Sequence, residues 1–397
     1  MKVLFIPGFS KETDSANITC TNEVIHALQK MPGYEIHIAG ETLKRQSASV
    51  NWRKNLFFMI RKILFWPVID PDASEECYKE IIWELKHADY DAVIVSHMPY
   101  DAVLAAVRAK RKYPNIHLML YELDPITYEI DKERKSLGKY LYFLRVLAEK
   151  RTYDRCDTIF HMECNRKKFS ENKYKKYRNK SVYLDFPLVH DKNVNARTAK
   201  KYDGQILRFV YAGKLMSHFR SPEYLLKVIV KLREQINLEV SFYSSGDCED
   251  IIHEYSKKYM FIHQKGYVDK GTLLTVIQNS DGLINIGNKI SDMLPSKLLT
   301  YIETGMPILH VQNQKNDACI DYLNRYKLAV IIDENDPVDV SVDKLLHFFC
   351  KNYKRKLGSD FILSKFAANT PEYSADMIDK RIISIKDGEV GLKNAKK

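Results

Sequence analysis

The chain has 397 residues, 45% hydrophobic and 28% charged, which is enough for two or three packed domains and too apolar for a disordered chain. Lys and Arg (62) outnumber Asp and Glu (51), and the net charge of +11 points to an anionic partner such as nucleic acid, phosphate or acidic lipid. Seven cysteines without a C-x-x-C pair exclude a disulfide framework and a zinc knuckle, and they fit a reducing cytoplasm.

In chain order, Lys2-Val3-Leu4-Phe5-Ile6 reads as a short buried strand running into Pro7-Gly8, too short for the apolar core of a signal peptide. A helical pattern through Val24, Ile25, Ala27 and Leu28 follows, then a strand at Glu35-Ile36-His37-Ile38-Ala39. The most apolar stretch, 56–69, is broken by Arg61-Lys62 and falls short of the roughly 18 apolar residues of a membrane span. A soluble or peripheral protein is therefore expected. Helices over 74–86, 101–112 and 136–151 alternate with strands at 92–95, 116–120 and 158–160. The composition turns polar over 190–204, read as a linker, and the alternation then restarts at Leu207-Arg208-Phe209-Val210-Tyr211. A helix over 222–233 and strands at 238–243, 260–263, 282–286, 307–311 and 329–332 complete the second half, before a last helix near 374–385. Buried apolar runs alternating with helices imply parallel sheets covered on both faces. The expected class is α/β, two doubly wound Rossmann-like domains facing a cleft: 1–195, 205–370, and a helix and tail over 371–397.

The second half carries the sharper chemistry. A strand ending in Ala212-Gly213-Lys214 is followed by Arg220 and a helix start at Ser221-Pro222, so a glycine lets a ligand near the backbone with two cations beside it. Alone, the segment is equally an ordinary strand–turn–helix with surface cations. Farther on, a strand leads to Pro295-Ser296-Lys297-Leu298-Leu299-Thr300-Tyr301, where Ser296 is expected as an N-cap and the helix start as a phosphate cradle. Gly305-Met306-Pro307 then ends the helix.

The segments 209–226 and 281–309 resemble the nucleotide-sugar-binding domain of GT-B glycosyltransferases, in particular enzymes similar to family 4 that build bacterial surface polysaccharides such as capsule, O-antigen or exopolysaccharide. The likeness covers about a hundred residues well and the first half weakly. It implies a nucleoside diphosphate sugar donor held by Gly213, Lys214, Arg220, Pro295, Ser296 and Lys297, with no cofactor and no required metal. Where that family carries the glutamate that binds the donor ribose, this chain has Thr300; Asp292 falls at the other acidic position, and Glu303 lies close enough on the helix to substitute.

In the first half, Ser96-His97 and Tyr121-Glu122-Leu123-Asp124-Pro125 place polar residues just past two strands, and the second resembles the family's acidic Asp-Pro turn. Sugar transfer needs an acceptor hydroxyl to lose a proton, so Asp124 ranks first as the base, ahead of Glu122 and His97; each is also an ordinary turn or capping residue. Gly8 and Phe9 either face the acceptor or turn the chain. Asp70-Pro71-Asp72 spells a D-x-D, but its proline turn makes Asp72 an expected N-cap, and His161-Met162-Glu163-Cys164 lacks the second half of a zinc site.

From 44 to 64 there are six cations and no acids. On a helical wheel Arg53, Lys54, Arg61 and Lys62 lie opposite Leu56, Met59, Ile60 and Ile63, with Phe57, Phe58, Phe65 and Trp66 interleaved. This is the profile of an interfacial helix on anionic lipid, or of a core helix with a basic face. A second basic run, 166–180, is either a solvated face or more of the same surface. The expected enzyme sits peripherally on the inner face of the cell membrane and extends a polyprenyl-phosphate-linked glycan. The alternative is an inactive GT-B-like scaffold or partner subunit, which Thr300 makes credible. No nucleic-acid-binding module is present to claim the positive charge.

Overall fold

A computed structural model describes residues 1–8, 16–40, 67, 70–97, 99–127, 137–290 and 293–394. Phe9, Asp292 and the basic stretch with Arg53, Lys54, Phe57, Phe58, Arg61, Lys62, Phe65 and Trp66 lie outside the described residues. Among those described, no helix is long and apolar enough to cross a membrane.

The chain forms two compact units, Met1–Leu188 with Ala368–Lys397, and Val189–Ala367. The polar segment expected as a linker is seated on the second unit. Arg197 and Lys356 exchange backbone hydrogen bonds of 2.9 Å, Val194 N–H donates to Ser359 Oγ at 2.8 Å, and Lys200 N–H donates to the Tyr353 carbonyl at 2.8 Å. Its backbone is thus paired with the second unit and is not a free tether. The last helix, Pro371–Asn394, belongs to the first unit: Tyr34 donates to Asp379 at 2.6 Å, Arg381 to Thr158 at 2.9 Å and Lys386 to Asp91 at 2.7 Å.

The first unit is one parallel sheet in the order β2-β1-β3-β4-β5-β6. Its strands are β1 (Lys2–Ile6), β2 (Glu35–Ile38), β3 (Ala92–Ser96), β4 (Leu118–Glu122), β5 (Thr158–Met162) and β6 (Ser181–Leu184). Alternation divides the strands between two cores. Leu4, Ile6, Val93, Val95, Leu118 and Leu120 pack with the helices Pro71–His87 and Tyr100–Lys112, while Val3, Phe5, Ile94 and Met119 are buried on the other face. Asp70, not Asp72, caps the Pro71–His87 helix, accepting from the Asp72 and Ala73 backbone N–H groups at 3.1 Å. Pro71 fits the first helical position because no N–H is needed there, which leaves the capping role to the residue before it.

The second unit repeats the plan in the order β12-β11-β10-β7-β8-β9. Its strands are β7 (Leu207–Leu215), β8 (Leu238–Gly246), β9 (Ile262–Gln264), β10 (Gly282–Ile286), β11 (Ile308–Gln312) and β12 (Ala329–Asp333). In each sheet the strand order reverses once, between β1 and β3 and between β7 and β10. Doubly wound sheets bind ligands beyond the carboxyl ends of their strands at that reversal.

The first unit also encloses a polar network. Glu122 is buried within β4, accepting from the Tyr153 hydroxyl at 2.7 and 2.8 Å and from His161 Nδ1 at 2.7 Å; His161 Nε2 reaches Ser181 Oγ at 3.2 Å. Lys168 and Lys180 of the basic run are spent on internal ties, whereas Lys176 makes an exposed ion pair. Lys168 is buried and donates to the Thr127 carbonyl, Lys180 donates to the carbonyls of Tyr153 and Cys156, and Lys176 pairs with Asp154 at 2.7 Å.

Burial raises the Glu122 carboxyl, but the hydrogen bonds and charge of His161 outweigh it and leave the group below its ordinary value. Its contribution to stability is therefore complete above the unfolded pKa of about 4.3 and is lost as pH falls through the lower folded value. Glu122→Gln is expected to cost about 1–3 kcal/mol at neutral pH and to flatten the acid limb of the stability profile, read by urea unfolding at several pH values. A variant as stable as the parent at pH 7 would show that the network is dispensable.

Candidate functional site

The carboxyl end of β7 is where the second sheet opens. β10 pairs with β7 only from Gly282 opposite Phe209 to Ile284 opposite Tyr211, whereas β8 stays paired as far as Leu215. Gly213 thus does not end the strand, as the sequence suggested, because the β8 partner carries it two residues farther. The Ala212 peptide, left without a β10 partner, is satisfied by a side chain: the buried Tyr301 hydroxyl accepts from Ala212 N–H at 2.9 Å and donates to its carbonyl at 3.3 Å. Gly213 follows at φ 151°, a conformation that side chains other than glycine's rarely adopt.

Arg220 reaches back over this strand end from the tight turn after β7. Its Nε and Nη2 donate to Asn288 Oδ1 at 3.2 and 2.7 Å, and its Nη1 donates to the Lys214 carbonyl at 3.2 Å. Asn288 is in turn fixed by donating to the Met293 carbonyl at 3.0 Å. All these acceptors are neutral, and among the described residues no carboxylate pairs with Arg220 or with the exposed Lys214. Two cations are therefore held beside a glycine at a strand reversal, and among the described residues no carboxylate compensates their charge. That arrangement suits an anion. The turn is anchored from the side by Asp247, which accepts from Ser217 N–H at 2.7 Å.

The helix expected to cradle phosphate is shorter and differently begun. It runs Lys297–Ile302, and Ser296 is itself in helical conformation with no capping bond from its side chain. The Leu298 and Leu299 N–H groups are taken by the Pro295 and Ser296 carbonyls at 2.9 and 3.2 Å. The turn thus starts at Pro295 and consumes N–H groups that the cradle needed. Pro295 is buried, Ser296 and Thr300 half-buried, and Lys297 exposed. Glu303 is buried and turned to the strap from the neighbouring segment: its Oε2 accepts from His190 N–H at 3.2 Å and lies 3.2 Å from His190 Nδ1, with Lys192 Nζ 3.7 Å from Oε1.

In the first unit the strand reversal brings together Gly8, His97 and the Thr21–Ser96 hydroxyl pair, 3.1 Å apart, with Asp124 beyond β4. Gly8 takes φ 74°, the left-handed turn that ends β1. His97 is buried, burial pushes its imidazole down to about 4, and among the described residues its buried Nδ1 finds no hydrogen-bond partner. It is neutral at pH 7, a hydrogen-bonding group more than a proton acceptor. Asp124 is half-buried and accepts from Asn17 Nδ2 at 3.2 Å. Glu122, by contrast, points into the buried network and is satisfied there.

Among the described residues, His310, Asp317 and Cys319 bring three ligand atoms within 4.8 Å of one another, a set able to hold a metal. Hydrogen bonds already join them: Asn285 Nδ2 donates to His310 Nδ1 at 2.8 Å, His310 Nε2 donates to Asp317 at 3.0 Å, and Asp317 accepts from Cys319 N–H at 2.8 Å. Burial holds the Cys319 thiol far above its ordinary value, which favours the protonated, non-ligating form. His161, Glu163 and Cys164 are not drawn together, since His161 serves Glu122 and Glu163 pairs with Arg166 at 2.5 Å.

No protein-family model matches the chain, and no curated protein matches its sequence. By structure it is similar to the lipopolysaccharide outer core galactosyltransferase WaaB in its apo form, at 14% identity over 97% of this chain and 99% of that one, with a TM-score of 0.57. It is similar to HepE of Anabaena in complex with UDP-glucose, at 10% identity over 97% and 100% of the two chains, with a TM-score of 0.59. A putative UDP-N-acetylglucosamine 2-epimerase from Listeria monocytogenes matches at 12% identity over 98% and 97%, with a TM-score of 0.54. At such identities the shared property is the fold, which is α/β of the GT-B class, each unit a parallel six-stranded sheet flanked by helices. The chemistry has to be argued from the site.

Proposed function

We propose that this protein is a glycosyltransferase that moves a hexosyl or related sugar from a nucleoside diphosphate sugar to a glycan acceptor. The observation that carries the reading is Arg220, its guanidinium held by Asn288 and the Lys214 carbonyl beside Gly213 and, among the described residues, without a carboxylate partner. In the reaction the acceptor O–H gives its proton to a carboxylate, its oxygen bonds to the anomeric carbon, and the bond from that carbon to the phosphate oxygen breaks. The charge that develops on the departing diphosphate is what Arg220 and Lys214 are placed to stabilise. Asp124 is the proposed base, being half-exposed at the carboxyl end of its sheet, whereas His97 is buried and neutral just past the end of β3. No metal is assigned a part. UDP complexes among proteins of this fold support a nucleotide donor.

The acceptor is proposed to be a polyprenyl-phosphate-linked glycan of a bacterial surface polysaccharide, met on the inner face of the cell membrane. The support is the cationic and aromatic composition of 44–66. A second reading, a catalytically inactive scaffold, is favoured by Thr300 at the ribose-binding position and by Glu303, whose carboxylate is already engaged by His190 and Lys192.

Calorimetric titration with UDP and other nucleoside diphosphates separates the two. Binding is expected, weakened by about 1.5–3 kcal/mol in Arg220→Ala and in Lys214→Ala. Absence of binding to every nucleotide would leave the scaffold standing. Given a donor that turns over, Asp124→Asn should slow transfer about a hundredfold or more with donor affinity nearly unchanged, and wild-type turnover in that variant would remove Asp124 from the role. For the membrane, sedimentation with phosphatidylglycerol vesicles should fall as salt rises and largely vanish when Phe57, Phe58, Phe65 and Trp66 become Ser. A wild-type chain that ignores such vesicles at low salt would place the acceptor in solution.

A further inference from the structure

At the other end of the second sheet, where β10 and β11 begin, lies a pocket of about 220 Å³. Five residues of strand, on the order of 17 Å, separate it from the carboxyl ends where Arg220 sits. Arg197, Lys354, Arg355 and Lys356 line it, against the single carboxylate of Asp281, with Ser280 on the wall. Asp281 is already committed: its Oδ1 pairs with Lys354 at 2.5 Å and its Oδ2 accepts from Arg208 N–H at 3.0 Å. Arg355 leans on a neutral group, donating to Asn352 Oδ1 at 3.0 Å.

Arg197 and Lys356 are the unusual pair. They exchange both backbone hydrogen bonds of an isolated antiparallel bridge, at 2.9 Å each, which sets their side chains directly opposite one another. Like charges so placed repel, and among the described residues neither has an acidic partner. Half-burial and the Arg197 charge together push the Lys356 ammonium below its ordinary value. The backbone bridge thus sets two cations, Arg197 exposed and Lys356 half-buried, side by side at a concave, polar site, and among the described residues no carboxylate neutralises them. An anion with several acceptor oxygens relieves all of this at once.

We propose that this pocket binds a phosphate group, with Arg197 and Lys356 as its principal ligands, as a second anion site separate from the one at Arg220. The phosphate belongs either to a small soluble ester or diphosphate, or to a lipid headgroup; the inference does not rest on the glycosyl-transfer reading.

The test is pyrophosphate titrated calorimetrically into the full chain, into Arg220→Ala and into Lys356→Gln, a change that keeps the backbone bridge. Binding should persist in Arg220→Ala, weaken at least tenfold in Lys356→Gln and fall with added salt. A circular-dichroism melt confirms that each variant folds, and Arg197→Gln repeats the measurement should Lys356→Gln not fold. In parallel, sedimentation with phosphatidylcholine vesicles with and without phosphatidic acid compares parent and Lys356→Gln. A difference confined to phosphatidic acid vesicles assigns the headgroup, and a difference in pyrophosphate affinity assigns the soluble phosphate. Equal affinity of parent and Lys356→Gln in both arms, or pyrophosphate binding that disappears with Arg220, overturns the site.

Discussion

The second unit is organised around one residue, Ala212, whose two backbone polar groups its sheet leaves to a side chain. A parallel strand at a reversal point must lose a neighbour before its end, and its polar backbone groups then need other partners or water. Here β10 leaves β7 at Tyr211, and the phenol of Tyr301 serves both the N–H and the carbonyl of Ala212. That single hydroxyl ties the Lys297–Ile302 helix to the strand end, fixes the direction in which Gly213 leaves, and so sets where the Arg220 guanidinium can rest. Burial lifts the Tyr301 phenol far above its ordinary pKa, so it stays a neutral donor and acceptor through any physiological pH.

The first unit solves the matching problem with charge. Glu122, Glu149, Lys168 and His161 are all buried, and the structure keeps them by giving each a defined partner: Tyr153 and His161 for Glu122, Thr127 and Tyr174 for Glu149, the Thr127 carbonyl for Lys168. Such networks are costly when half satisfied and specific when complete. They also explain why net charge is a poor guide to this surface. Of the basic run over 166–180, Lys168 and Lys180 are consumed inside the unit, Arg166, Lys173 and Lys176 pair with carboxylates at the surface, and Lys167, Lys175 and Arg178 are exposed.

The strands that could be read from the residues are those buried on both faces, where continuous Val, Ile and Leu leave little choice, as in β1, β3 and β10. β6, Ser181–Leu184, escaped because an edge strand of four residues, three of them half-buried, is too short to show a period of its own. β4 runs two residues later than its apolar content suggests, since Glu122 is inside the strand: a carboxylate reads as a strand end unless its buried partners, far away in sequence, are known. The same limit applies to the site. Gly213, Lys214 and Arg220 were legible as glycine and cations after a strand, whereas Asn288 and Tyr301, which position them, act through contacts that no local pattern encodes. Ser296 failed as a cap because its own backbone is already helical.

The chain crosses between units twice, and the consequence is one of timing. Val189–Ala367 is continuous, but the first unit is incomplete until Pro371–Asn394 supplies Asp379, Arg381 and Lys386 to partners made long before. At roughly 5–20 residues per second of synthesis, the waiting period is on the order of ten to forty seconds. During it the residues of β1 through β6 have been synthesised without the partners that Pro371–Asn394 brings to them. The order of synthesis therefore favours completion of the second unit ahead of the first, and the late helix acts as the latch that commits the earliest residues of the chain to their final packing.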